Sequence, residues 1–287
     1  CALPISRSSG LSLLQPDERN PWEVGTFGLG QVIAAALKHG VNGLVVTLGG
    51  SATVDGGVGM ARALGWRFYD SESRRIETEG GRVLEQIARI DPDGADSRLQ
   101  GLRVRALCDV TNPLLGPDGA ARVFGPQKGA GPEMVEALET GLANLALRMK
   151  EDLGADLAAM PGAGAAGGLG AAVAAFLGGG LISGIEYVLD TLNFDELLRG
   201  ATLVITGEGS FDSQSMGGKA ISGVLKRARI AGIPVAVVCG VHHDSGGAEL
   251  EVYSGADIPD DLQPGGRVGL EGLARLAGMA AADTFSG

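Results

Sequence analysis

Hydrophobic and polar positions along this chain repeat in two periods, and each period predicts a different element. "GQVIAAALKHG", residues 30–40, spaces its apolar residues as a helix does and predicts a helix stopping at Gly40. "GLVVTL", residues 43–48, is a continuous apolar run and predicts a buried strand. The loop "GGSATVDGGVGM" and a helix at "ARALG" come next, and "RVRALCDVTNPLLG" reads as a strand entering a Pro/Gly turn. "PEMVEALETGLANLALRMKEDLG" predicts a long amphipathic helix, with acids early and bases late as its dipole favours. "ATLVI" and "IPVAVVCG" read as buried strands flanking the helix "KAISGVLKRARIAG". Strand, helix, strand at that spacing is a βαβ unit and implies a parallel sheet. No segment repeats with a fixed period. The pattern becomes regular only after residues 193–200, which places a domain boundary there and divides the chain into 1–195 and 196–287.

Composition removes several classes of function. A net charge of −11 argues against a general nucleic-acid binder, which carries basic clusters, but leaves room for a phosphate ligand at a locally positive site. Cys1, Cys108 and Cys239 lie far apart with no CxxC spacing. They read as reduced thiols of a cytoplasmic protein, Cys108 and Cys239 as core thiols beside strands. "CALPISRSSGLSLL" lacks the basic start and apolar core of a secretory leader. Residues 157–185 carry no charge, but nine glycines and Pro161 interrupt them, so they predict buried Gly/Ala packing rather than a membrane span.

Familiar nucleotide motifs fail in detail. Gly162-x-Gly164-x-x-Gly167 follows a helix-like segment instead of a strand, against a dinucleotide site. Gly218-Lys219 is followed by Ala220, against a P-loop. His39, His242 and His243 have no metal spacing.

Three loops hold the candidate chemistry. Gly49, Gly50, Ser51, Thr53 and Asp55 follow a strand, where glycines admit phosphate oxygens to backbone N–H groups and hydroxyls add donors. A turn capped by Ser51 or Asp55 at a helix start explains the same residues equally well. A second loop gathers Asp109, Asn112, Arg122, Gln127 and Lys128, which a helix boundary with solvated charges also explains one by one. The third is "TGEGSFDSQSMGGKA", residues 206–220. Glu208 and Asp212 suit Mg²⁺, and Lys219 at a helix start suits an anion, against the alternative of a Ser215 N-cap with the lysine in solvent.

"GGSATVDGGVGMARALG", "CDVTNPLLGPDGAARVFGPQKGA", "PGAGAAGGLGAA" and "TGEGSFDSQSMGGKA", in that order, resemble the bacterial glycerate kinase family. The resemblance implies ATP-dependent phosphorylation of D-glycerate with Mg²⁺, and small-molecule partners rather than nucleic acid or membrane. It implies an α/β fold in which a Rossmann- or flavodoxin-like parallel-sheet domain is split by an inserted α/β domain. On that pattern 1–195 is mostly the inserted domain and 196–287 the second half of the split one. The family's opening strand with its D-S-F-K-G-type motif and its A-D-G-G-E-G-type loop have no counterpart here. This implies missing N-terminal strands and little kinase turnover from these residues alone. Val54 and Ser210 stand where the family usually has Asn and a basic residue. Phosphoryl transfer needs position and charge. The resemblance therefore gives Glu208, Asp212 and Lys219 to phosphates and Mg²⁺, with Gly207 and Gly209 admitting the phosphates. It gives Asp55 to the glycerate hydroxyl and Arg122 or Lys128 to the glycerate carboxylate.

Overall fold

A computed structural model of the chain describes residues 2–211, 220–242, 251–254 and 270–286. The chain forms two compact units, Cys1–Ile182 and Ser183–Gly287. Both are α/β with parallel sheets.

In the first unit β1 (Ala2–Pro4), β2 (Gly43–Thr47), β5 (Arg103–Leu107) and β6 (Gly180–Ile182) form a four-stranded sheet in the order β1-β2-β5-β6. Every pairing is parallel, with Ala2 opposite Val45, Gly43 opposite Arg103 and Arg105 opposite Gly180. β3 (Arg67–Tyr69) and β4 (Arg89–Asp91) make a separate antiparallel pair. Helix α1 (Phe27–Lys38) ends as the glycine at 40 predicts and buries Leu29, Ile33 and Leu37 at helical spacing. Helix α2 is short, Val58–Ala63, and starts three residues earlier than "ARALG" suggests. α3 spans Ala120–Phe124.

The long helix α4, Pro132–Leu153, buries Val135, Leu138, Leu142, Leu145 and Met149 on one stripe. This is the amphipathic helix its sequence predicts, ending at Gly154 in the left-handed region that glycine tolerates. The uncharged stretch becomes α5, Ala165–Leu177, with nearly every side chain buried. Its small residues have a steric cause: a Cβ on Gly167 would sit 2.0 Å from the Thr53 carbonyl oxygen. Among the described residues no helix is long and apolar enough to cross a membrane.

In the second unit β7 (Val204–Phe211), β8 (Val235–His242) and β9 (Glu251–Tyr253) form a parallel sheet in sequence order. Helix α8 (Ala220–Ile230) connects β7 to β8, completing the expected βαβ unit. Ile221 and Leu225 of α8 pack with Val237 and Cys239, while Ala236, Val238 and Tyr253 pack with Leu276 and Ala280 of α9 (Leu270–Ser286). Covering both faces is what a parallel sheet requires.

Helices α6 (Gly184–Thr191) and α7 (Phe194–Leu197) belong to this unit as well. Arg227 of α8 binds Glu186, Asp190 and Asp195, and Ile185 lies against Gly223. By contacts the two units part at Ile182/Ser183, ahead of residues 193–200, where the sequence pattern becomes regular. Sequence periodicity cannot register an ion-pair hub between distant helices.

Candidate active site

Beyond the carboxyl ends of β2 and β5 the first unit opens into a cleft of about 410 Å³. Open parallel sheets hold ligands at this end. Gly49, Gly50 and Ser51 from the β2 loop, Cys108 and Asp109 from the β5 loop, and Gln127 and Lys128 after α3 all line it, with Ala165 and Ala166 at the start of α5.

The β2 loop is held in place by a short N-terminal segment. Leu11 N–H donates to the Gly50 carbonyl at 2.8 Å and Ala52 N–H to the Ser9 carbonyl at 2.9 Å. Gly50 has φ +76°, which favours glycine, whereas a side chain at Gly49 would meet nothing within 4 Å. The fold itself gives no reason for glycine at 49. Its bare backbone leaves the cleft wall open to a close ligand.

Lys128 supplies the charge. It ends a single turn, Pro126–Lys128, and points inward with only 2% of its surface exposed. Nζ donates to Ser51 Oγ at 2.8 Å and to the Thr53 carbonyl at 2.7 Å. Burial pulls the ammonium down from the ordinary lysine value to about 7, against the opposing pull of Asp55.

Asp55 lies deeper than its glycine neighbours suggest, 1% exposed. Its Oδ2 accepts from Thr26 N–H at 2.8 Å, Thr26 Oγ1 at 2.8 Å and Gly59 N–H at 3.2 Å, and Oδ1 accepts from Gly57 N–H at 3.1 Å. Burial pushes the carboxyl up and these four donors pull it back. Asp55 is therefore buried rather than on an open loop, and its four bonds to Thr26, Gly57 and Gly59 fix the turn that leads into α2.

Other expected residues scatter. Thr53 is buried behind the cleft and contributes its carbonyl. Asn112 donates to the Asp118 carbonyl at 2.8 Å and shapes its own loop. Arg122 is not among the residues that line the cleft and donates to Glu136 through both terminal guanidinium nitrogens, NH2 at 2.7 Å. Glu208, Gly207 and Gly209 lie on β7 in the second unit. A Cβ on Gly207 would stand 2.2 Å from the Val238 carbonyl oxygen, so strand spacing accounts for that glycine. Asp212 and Lys219 lie outside the described residues. No group of three metal-ligating side chains occurs among the described residues.

Two lining residues were not expected in the site: Cys108 reads from sequence as a core thiol, and Ala166 carries no signal of its own. Cys108 is half-buried, its thiol donating to the Val110 carbonyl at 3.1 Å and held up by burial first and by Asp109 as well. Ala166 takes φ +53°, ψ +38°, a left-handed backbone that alanine adopts at a cost. Such strain gathers at functional sites, and only the surrounding "PGAGAAGGLGAA" motif hinted at it.

A model of the glycerate kinase family matches residues 2–257. The chain belongs to the glycerate kinase family. Glycerate kinase of Halalkalibacterium halodurans is 45% identical over 238 residues, which are 83% of this chain and 62% of that protein. Glycerate 2-kinase of Escherichia coli K12 is 44% identical over the same shares. A crystal structure described as that of a glycerate kinase 2 from Salmonella typhimurium LT2 superposes with a TM-score of 0.78 at 40% identity, covering 98% of this chain and 76% of that one. The chain thus spans about 62% of the length of these curated relatives.

Proposed function

We propose that this chain serves ATP-dependent phosphorylation of D-glycerate to a phosphoglycerate in the cytoplasm. The observation that carries the reading is the cleft. Family membership supplies the reaction class, and the cleft offers a buried lysine amine, a hydroxyl and open glycine backbone, groups that suit a small hydroxy acid. Lys128, which lines the cleft, receives the glycerate carboxylate, and Arg122, outside the lining, pairs with Glu136. Asp109, the exposed carboxylate of the lining, orients the hydroxyl that attacks.

Nucleotide falls to the β7 end of the second unit. The donor chemistry of its loop fits: Glu208 and Asp212 are hard carboxylates for Mg²⁺, and Lys219 is a cation for phosphate. Bound there, Mg²⁺ neutralises phosphate charge; the protein's own part is to position both substrates. On this reading the first unit is the inserted domain, and the second belongs to the split Rossmann- or flavodoxin-like one.

Val54 replaces the usual Asn, which on sequence favours a kinase of another hydroxy acid or polyol. Yet Val54 is fully buried and does not line the cleft. Its effect is on packing, so glycerate remains the favoured substrate. An ADP-release assay with Mg²⁺ and ATP tests this, comparing D-glycerate with glycerol, which has the hydroxyls but no carboxylate. Turnover should require the carboxylate. Equal rates with glycerol would remove Lys128 from its role and glycerate from the site.

A further inference from the structure

Lys128 is an unusual receptor for an anion, because the protein has already arranged its nitrogen. Two of its N–H bonds are committed to Ser51 Oγ and the Thr53 carbonyl. An amine nitrogen is tetrahedral, so after Cε and these two hydrogens one position remains. In the neutral amine that position is a lone pair, and in the ammonium it is a third N–H. The ammonium fills that position with a charged N–H, whereas the neutral amine offers a carboxylate an uncharged N–H and only if Ser51 O–H turns to donate to the lone pair.

We propose that an anionic ligand enters this cleft together with a proton, which Lys128 Nζ takes up as the ligand binds. The proposal rests on the reading that the cleft receives glycerate's carboxylate, and it adds how the site is charged for that task. Without ligand, burial favours the neutral amine near pH 7 and above, and Asp55 behind it offsets this only in part. A bound anion supplies the missing counter-charge in a low-dielectric setting and reverses the balance. The other ionisable groups of the lining are Cys108 and Asp109; Arg122, on the neighbouring α3, is held by Glu136, and α5 contributes only Ala165 and Ala166. The bond changes are simple: the Nζ lone pair takes a proton from water or buffer, and the new N–H donates to the carboxylate.

Calorimetry at pH 8 in buffers of differing ionisation enthalpy reads the proton directly, with the 287-residue chain and D-glycerate, L-lactate or inorganic phosphate as probes. Uptake should approach one proton per D-glycerate in the wild type. It should vanish in Lys128→Arg, because arginine is charged throughout. If that variant does not fold, the wild type alone decides: affinity should be flat below pH 7 and fall about tenfold per pH unit above it. Lys128→Met should abolish binding of all three anions. Glycerate binding without proton uptake, or with equal uptake in Lys128→Arg, overturns the coupling and leaves the kinase reading intact. Uptake with lactate or phosphate but no binding of glycerate sustains the coupling and removes glycerate as substrate. No binding of any probe at pH 6, where the amine is charged, overturns the proposal.

Discussion

Lys128 and Asp55 sit a short distance apart in the same buried polar cluster and affect stability in different ways. Lysine ordinarily holds its proton to about pH 10.5, whereas the folded protein gives it up near 7. Between those values the unfolded chain binds a proton that the folded one does not, so stability rises with pH across that window. The slope is about 1.4 kcal/mol per pH unit for one such group. Urea unfolding between pH 7 and 10 should show the rise, and Lys128→Met should flatten it. Asp55 acts instead through the four donors that its two oxygens accept from. Asp55→Asn turns one oxygen into an NH₂ group that faces donors, which should cost about 1–3 kcal/mol. Thr26 donates to Asp55 and accepts from Met60 N–H, so Thr26→Val should cost a similar amount. The double variant should cost less than the sum, with a coupling of about 0.5–3 kcal/mol. Additive losses in denaturant midpoints would mean that the two residues stabilise the loop independently.

At the scale of elements, the strands and long helices were legible and the short pieces were not. β2, β7, β8 and α4 announce themselves because burial on one face or both imposes a period on the sequence. The site was legible only as a set of loops. Sequence could say that Asp55 and Lys128 were interesting; it could not say which was buried by hydrogen bonds and which faced the cleft, because partners 29 and 77 residues away decide that. The glycines show the same divide. At Gly207 the closeness of Val238 already requires a glycine, while at Gly49, with open space around it, the fold does not. The start of α5 gives the sharpest prediction at this scale. Gly167 has φ +70° and would bring a Cβ to 2.0 Å from the Thr53 carbonyl, the same carbonyl that holds Lys128. Gly167→Ala should cost the roughly 1–2 kcal/mol of a left-handed residue and a further overpacking cost of about 1–3 kcal/mol. It should also weaken D-glycerate binding. A variant as stable as the wild type would show that α5 can move without disturbing the cleft.

For the whole molecule, the two units differ in what they carry. The hydrophobic cluster that runs from Ile5 through Phe176 and Leu177 draws all its buried members from the first unit. Every residue lining the cleft, from Leu11 to Ala166, belongs to that unit too. Among the described residues, none of the hydrogen bonds that fix Lys128 or Asp55 leaves it. A domain with its own core and its own site has what it needs to fold alone. The segment 1–182, expressed by itself, should therefore unfold in one cooperative transition and bind D-glycerate with the affinity of the 287-residue chain. It should release no ADP, because the loop assigned to nucleotide lies in the second unit. Near-ultraviolet circular dichroism on heating and calorimetric titration with glycerate check both halves of this. Trp66, packed edge-on to Phe176 with ring centroids 5.0 Å apart, provides a local signal for the core. A folded fragment that fails to bind would show that the cleft depends on residues beyond Ile182. Carboxylate recognition would then no longer belong to the first unit alone.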